Sequence, residues 1–98
     1  MPSSYFDKNE YKFKRFEQSK RKNKKYDAIL INKITKHEIR VPFGDSRYQQ
    51  YKDNTGLKIY SNVDHGSKTR QELYIKRHKN DIKPNHYSAG YFSMFYLW

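Results

Sequence analysis

A chain of 98 residues holds one modest hydrophobic core and is too short for two. Its 21 lysines and arginines against 10 acids give a net charge of +11, which calls for a polyanionic partner; without cysteine, a disulfide framework and a thiolate metal site are both excluded. The longest clearly apolar run, Ala28 to Ile31, falls far short of a membrane span, and the amino terminus lacks a secretory signal's apolar stretch. No membrane role and an unexported protein, inside a host cell or a virion, are therefore expected.

Apolar residues make up only 35% of the chain, but 17% is aromatic, and disordered chains are poor in aromatics, so most of it is expected to fold. Residues 1–25 carry nine bases and three acids, residues 26–66 six and five, and residues 67–98 six and two. The first segment ends in Lys20-Arg21-Lys22-Asn23-Lys24-Lys25, a like-charged block that reads as a basic arm, flexible or ordered by its partner. Upstream, Tyr11, Phe13 and Phe16 alternate with Lys12, Lys14 and Arg15, which fits either a short amphipathic helix or an extended stretch. Residues 26–98 are the expected compact domain.

Within that domain, Tyr26 to Ile31 and His37 to Phe43 are β-branched runs flanking Asn32-Lys33-Ile34-Thr35-Lys36, a hairpin signal. Ile39, Val41 and Phe43 share one face and Glu38, Arg40 and Pro42 the other, and Pro42 marks an edge or a strand end. Gly44-Asp45 breaks the strand, Ser46 to Asp53 is compatible with one or two helical turns, Asn54-Thr55-Gly56 is a turn, and Leu57 to Tyr60 is a short run. The clearest helix starts at Thr69, where Thr69-Arg70-Gln71-Glu72 matches a capping box, and runs to about Lys79. Arg70, Leu73, Tyr74, Arg77 and His78 fall on one face of it, and Lys68, Glu72, Lys76 and Lys79 on the other. The final segment, Ser88 to Trp98, predicts a short capped helix with Tyr91, Phe95 and Trp98 on its apolar face. The fold class expected is α+β: a β-hairpin, one main helix, a short aromatic C-terminal helix and the basic arm.

The order Tyr26 to Ile31, Pro42-Phe43-Gly44-Asp45, Arg47-Tyr48, Tyr51-Lys52-Asp53, Asp64-His65, Arg70, Tyr74, Arg77-His78, Gly90-Tyr91-Phe92-Ser93 and Tyr96-Leu97-Trp98 resembles a family of small basic proteins encoded by large DNA viruses and some phages. The resemblance covers residues 22–98 and implies a viral origin and a place in the virion or its nucleoprotein. That family has no established activity, so it carries over no site residues. The chain departs from its pattern at Lys36, where a glycine is expected after Thr35.

Three constellations bear on function. Asp64-His65, His78, Asn80 and Asn85-His86 distantly resemble a ββα-metal nuclease, but the helix holding His78 falls between His65 and His86, against that motif's order. Neither a catalytic role nor a metal or other cofactor is assigned. Tyr48, Tyr51, Tyr60, Tyr74, Tyr87, Tyr91, Phe92, Phe95, Tyr96 and Trp98 are interleaved with bases and fit either base stacking or a core; the core is favoured for the last twelve residues and neither for Tyr48 and Tyr51. Arg70 and Arg77 are either phosphate forks or partners of Asp45, Asp53 or Asp64, the helix then docking by its arginine face. The reading is a nucleic-acid binder, for DNA or RNA, working largely through charge with Lys20, Arg21, Lys22, Lys24, Lys25, Lys68, Arg70, Lys76, Arg77 and Lys79. The alternative is a minor virion protein whose basic arm binds acidic surfaces of larger subunits.

Overall fold

The computed structural model describes residues 5–83 and 85–98; Met1 to Ser4 of the expected arm, and Pro84, lie outside them. Chain order is β1 (Phe6–Asp7), β2 (Tyr11–Gln18), β3 (Lys24–Asn32), β4 (Glu38–Asp45), a 3-10 turn (Ser61–Val63), α1 (Lys68–His78), a second 3-10 turn (Lys79–Asp81), β5 (His86–Tyr87) and α2 (Ala89–Tyr96). The antiparallel meander β2-β3-β4 is the main sheet, and β1 pairs with β5 in a separate two-stranded ladder. This is an α+β fold with the hairpin, main helix and aromatic C-terminal helix expected.

Much of the expected arm's described length is built into strands. Tyr11–Gln18 pairs along β3, from Tyr11 opposite Asn32 to Gln18 opposite Tyr26. A bulge between Phe13 and Arg15 inserts one residue, so Phe16, three positions after Phe13, returns to the same face. That interruption of the two-residue period is why helix and strand were equally compatible with the segment.

β3 is the central strand and is covered on both sides. Tyr26, Ala28 and Leu30 join Val41, Phe43, Phe92 and Leu97 in the core, with Phe13 and Phe16 packed against them. Burying rings and aliphatic chains of this kind contributes about 1.5–3 kcal/mol each, so a handful of side chains dominates the stability. On the other face Ile29 is also buried, in register between Arg15 and Arg40. Lys14, Arg15 and Arg40 are tied there to Glu17, Asp27 and Glu38 at 2.6–3.5 Å.

The β3–β4 hairpin keeps Ile39, Val41 and Phe43 inward, and β4, carrying Pro42, is a sheet edge. In its loop the Asn32 side-chain oxygen accepts from the Ile34 and Thr35 amides, and Lys36 takes the left-handed conformation at φ 65°, one that favours glycine. Gly44 does not end the strand: with φ 75° it stays within a ladder that runs on to Asp45 opposite Lys24. A side chain at Gly44 would meet Leu97 at 2.8 Å.

Ser46 to Asp53 forms no helical turn. Its residues are drawn into loop contacts instead: Gln50 bridges to Asp64, and the Lys52 and Asn54 amides donate to the carbonyls of Leu97 and Tyr96. The cap of α1 is Ser67, whose hydroxyl accepts from the Arg70 amide; Thr69 already lies inside the helix. α2 is capped by Ser88. Its inward residue is Phe92, packed on Phe13, Phe16 and Phe43, whereas Phe95 is 56% exposed, which corrects the expected Tyr91, Phe95 and Trp98 face. In a helix that is almost wholly apolar, more than one stripe has helical spacing, and the rings presented by the sheet decide between them.

Candidate functional site

The distribution of acids determines which bases remain available. Beyond the outer-face ion pairs, Asp45 is gripped by Arg47 through both its oxygens, at 3.0 and 2.7 Å, and these bonds hold its carboxyl down at about 2. Asp53 accepts from the Tyr26 hydroxyl and from Thr55, and Asp64 accepts from Gln50 and from the Asp53 amide. Burial works against the Asp53 carboxylate, but its hydrogen bonds from Thr55 and Tyr26 outweigh it and leave the group below its ordinary range. Burial, reinforced by Asp53, pushes the Tyr26 phenol up to about 12. The three carboxylates that one reading paired with Arg70 and Arg77 are therefore taken by other groups.

Of the candidate cations, Lys20, Arg21 and Lys22 are exposed on the β2–β3 turn and Lys24 is half-buried at the start of β3. Lys25 is 2% exposed and is withdrawn from any interface: its ammonium donates to the Tyr48 carbonyl at 2.8 Å and to Gln50 Oε1 at 2.7 Å. Burial lowers its affinity for the proton, against the pull of Asp45, Asp53 and Asp64. A charge run reads as solvated, and this burial is tolerable because the distant Tyr48 carbonyl and Gln50 both accept from the ammonium. Lys68, Lys76 and Lys79 are exposed, with Lys68 lying 5.0 Å over the Tyr51 ring.

Arg70 and Arg77 line one cleft of about 460 Å³, bounded by α1, the segment after β4 and the end of the chain, with Tyr48, Tyr74 and Trp98 among its walls. Arg70 donates to Gln49 Oε1 at 2.8 Å; among the described residues no carboxylate pairs with either arginine. The arginine face thus turns toward the domain without being buried in it, and none of α1's described residues is buried. Leu73, expected to pack, is 55% exposed. The Asn23 carbonyl of the β2–β3 turn accepts from the Ser46 amide, which ties that turn to the start of the segment carrying Arg47, Tyr48 and Gln49.

The aromatics divide between core and rim. Tyr74 stacks on Trp98 and meets the His78 ring at a tilt, Tyr60 meets Tyr26 edge-on, and Tyr87 stacks on Phe92. Tyr48 is 65% exposed, with the Arg47 guanidinium 5.7 Å from its centroid. Gln49, which shapes this rim, was not singled out in the sequence, and Arg47 entered only beside Tyr48 in the family resemblance, without a binding role; that pair of a cation beside a ring was the available signal.

The histidines of the nuclease comparison are dispersed. His65 Nδ1 accepts from the Ser67 amide and its ring lies 5.1 Å from that of Trp98, while burial, and then Arg70, disfavour its protonation. His86 is on β5 opposite Asp7, and His78 is against Tyr74. Among the described residues no group of three histidines or carboxylates is placed to hold a metal, and no helix is long and apolar enough to cross a membrane. A larger concavity, about 690 Å³, lies beside β4 with Lys20, Arg21 and Arg40 facing Phe6, Val41 and Ala89. Comparison with protein-family models, with curated proteins and with solved structures finds no match to this chain.

Proposed function

We propose that this protein binds nucleic acid, largely without regard to sequence, through its exposed positive charge. The observation that carries the reading is the internal use of the acids: Glu17, Asp27, Glu38, Asp45, Asp53 and Asp64 are all bonded within the domain, while Lys20, Arg21, Lys22, Lys68, Lys76 and Lys79 are exposed and Arg70 and Arg77 line an open cleft. Such a surplus of cations is neutralised best by phosphates, whose release of counterions on binding supplies most of a nonspecific affinity. No element is required to read base edges, and phosphate contacts carry no sequence information by themselves.

The test is a titration of short DNA and RNA at a series of salt concentrations. Binding that falls linearly on a log–log plot, with a slope reduced when Lys20, Arg21 and Lys22 become glutamine, supports the reading; the reduction should be about 0.9 per lost phosphate contact on duplex DNA. Absence of binding at low salt, or a slope unchanged by both that triple change and the change of Lys68, Lys76 and Lys79, overturns it.

A further inference from the structure

Resting on that reading, we propose that the cleft between α1 and the segment after β4 receives one unpaired nucleotide of a single strand, its base against Tyr48 and its flanking phosphates on Arg70 and Arg77.

The shape sets the first condition. A cleft of about 460 Å³ is in the range of sites that enclose small molecules, roughly 300–1,000 Å³, and a nucleotide unit enters such a space where a paired duplex does not. The charge sets the second. Arg70 and Arg77 are two turns apart on one side of α1, about 10.5 Å along its axis, so their flexible arms bracket the cleft mouth. The acid on the rim, Asp45, is already neutralised by the two-pronged grip of Arg47. Beneath the cleft the Lys25 ammonium is spent on two neutral oxygens, the Tyr48 carbonyl and Gln50 Oε1, which fixes the backbone from which Tyr48 projects.

The third condition is an exposed aromatic ring. Tyr74 is in ring contact with both Trp98 and His78 and forms a wall. Tyr48 is different: its side chain projects from the rim, and its role in the fold is carried by its backbone carbonyl, which accepts from Lys25. A ring beside cations at the mouth of a cleft is the arrangement on which unpaired bases stack, and such stacking is tolerant of base identity. Duplex DNA keeps its bases stacked on each other and cannot use Tyr48.

The experiment measures fluorescence anisotropy of a labelled oligothymidine and of a duplex of equal length with the full chain, at one moderate salt concentration. The expected result is tighter binding of the single strand, weakened roughly fivefold to a hundredfold by Tyr48→Ala, largely restored by Tyr48→Phe, with duplex binding unchanged. Arg70→Gln with Arg77→Gln should weaken the single strand more than the duplex. Equal loss on both nucleic acids, or no loss from Tyr48→Ala in a variant whose thermal melt matches the parent, overturns the cleft proposal and leaves charge-driven binding standing. Failure of the parent chain to bind either one overturns both. If Tyr48→Ala melts differently, photocrosslinking of an iodouridine-substituted strand decides: a crosslink at Tyr48 supports the proposal, and crosslinks only on the β2–β3 turn overturn it.

Discussion

The indole of Trp98 lies flat on the ring of Tyr74, centroids 4.3 Å apart and planes 4° from parallel, and this stack is the principal seat of α1. Gln71 adds one bond, donating from Nε2 to the Trp98 carbonyl at 2.6 Å. Because no described residue of α1 is buried, the helix depends on this contact more than on propensity. Trp98→Ala should free the helix from the sheet at a cost of about 2–3 kcal/mol. Hydrogen exchange should then accelerate over 68–78 while the β3 amides stay protected. Uniform acceleration across the chain would show that α1 and the sheet unfold as one unit.

Tyr26 holds the loop to the sheet. Its hydroxyl donates to Asp53 and accepts from the amides of Ile59 and Tyr60, at 3.0 and 3.2 Å. Tyr26→Phe keeps the ring and strands those partners, which should cost about 1–3 kcal/mol. In a domain of this size each kcal/mol lowers the melting temperature by about 4–8 °C. A melt within a degree of the parent would mean that water replaces the hydroxyl.

The titrating groups set limits at both ends of the pH scale. The Tyr26 phenol is raised from its ordinary 10 to about 12, so the folded state binds the proton more tightly than the unfolded one. Its contribution is complete below about 10 and disappears as pH climbs through about 12. Asp45 and Asp53 are lowered, so their contributions are complete above the ordinary carboxylate range and fade as pH falls, Asp45's through about 2. Denaturant titrations across pH should show both limbs, and Tyr26→Phe should flatten the alkaline one. An alkaline limb identical in that variant would place the effect elsewhere.

Two phenylalanines of α2 should behave oppositely. Phe92, wholly buried among Phe13, Phe16 and Phe43, should cost about 3–5 kcal/mol as alanine. Phe95, more than half exposed, should change stability by under about 0.5 kcal/mol. Chemical denaturation of the pair checks this; comparable losses would contradict the packing of α2.

Lys25 and its neighbours in the basic run should likewise separate. Lys25→Met removes the donor to Gln50 and Tyr48 and should destabilise by about 1–3 kcal/mol with affinity for nucleic acid little changed. Changing Lys20, Arg21 and Lys22 to glutamine should lower affinity and leave the melt in place. A Lys25→Met protein that stays folded yet loses affinity would return that lysine to the interface.

The sequence carries these elements unevenly, for physical reasons. The β3–β4 hairpin is legible because one covered face imposes strict alternation on Ile39, Val41 and Phe43. β2 is obscured by its bulge, and the burial of Lys25 by its dependence on Gln50, which sits twenty-five positions away. The start of α1 is displaced because Thr69 to Glu72 matches a capping box by residue type, while Ser67, held by His65 Nδ1 at its amide, has the extended backbone a cap requires. Arg70 and Arg77 were identified as a pair; the cleft that joins them to Tyr48 depends on an irregular segment with no periodicity to read.

The ladder of Phe6 with Tyr87 and Asp7 with His86 links distant parts of the chain. The meander needs only short loops to close, so on entropic grounds it assembles early, whereas this ladder must wait for nearly the whole chain to be gathered. It is also only two residues long, too short to persist by itself. The β1–β5 ladder is therefore the latch of the folding reaction: weakening it at Phe6 should speed unfolding while leaving the rate of folding almost untouched.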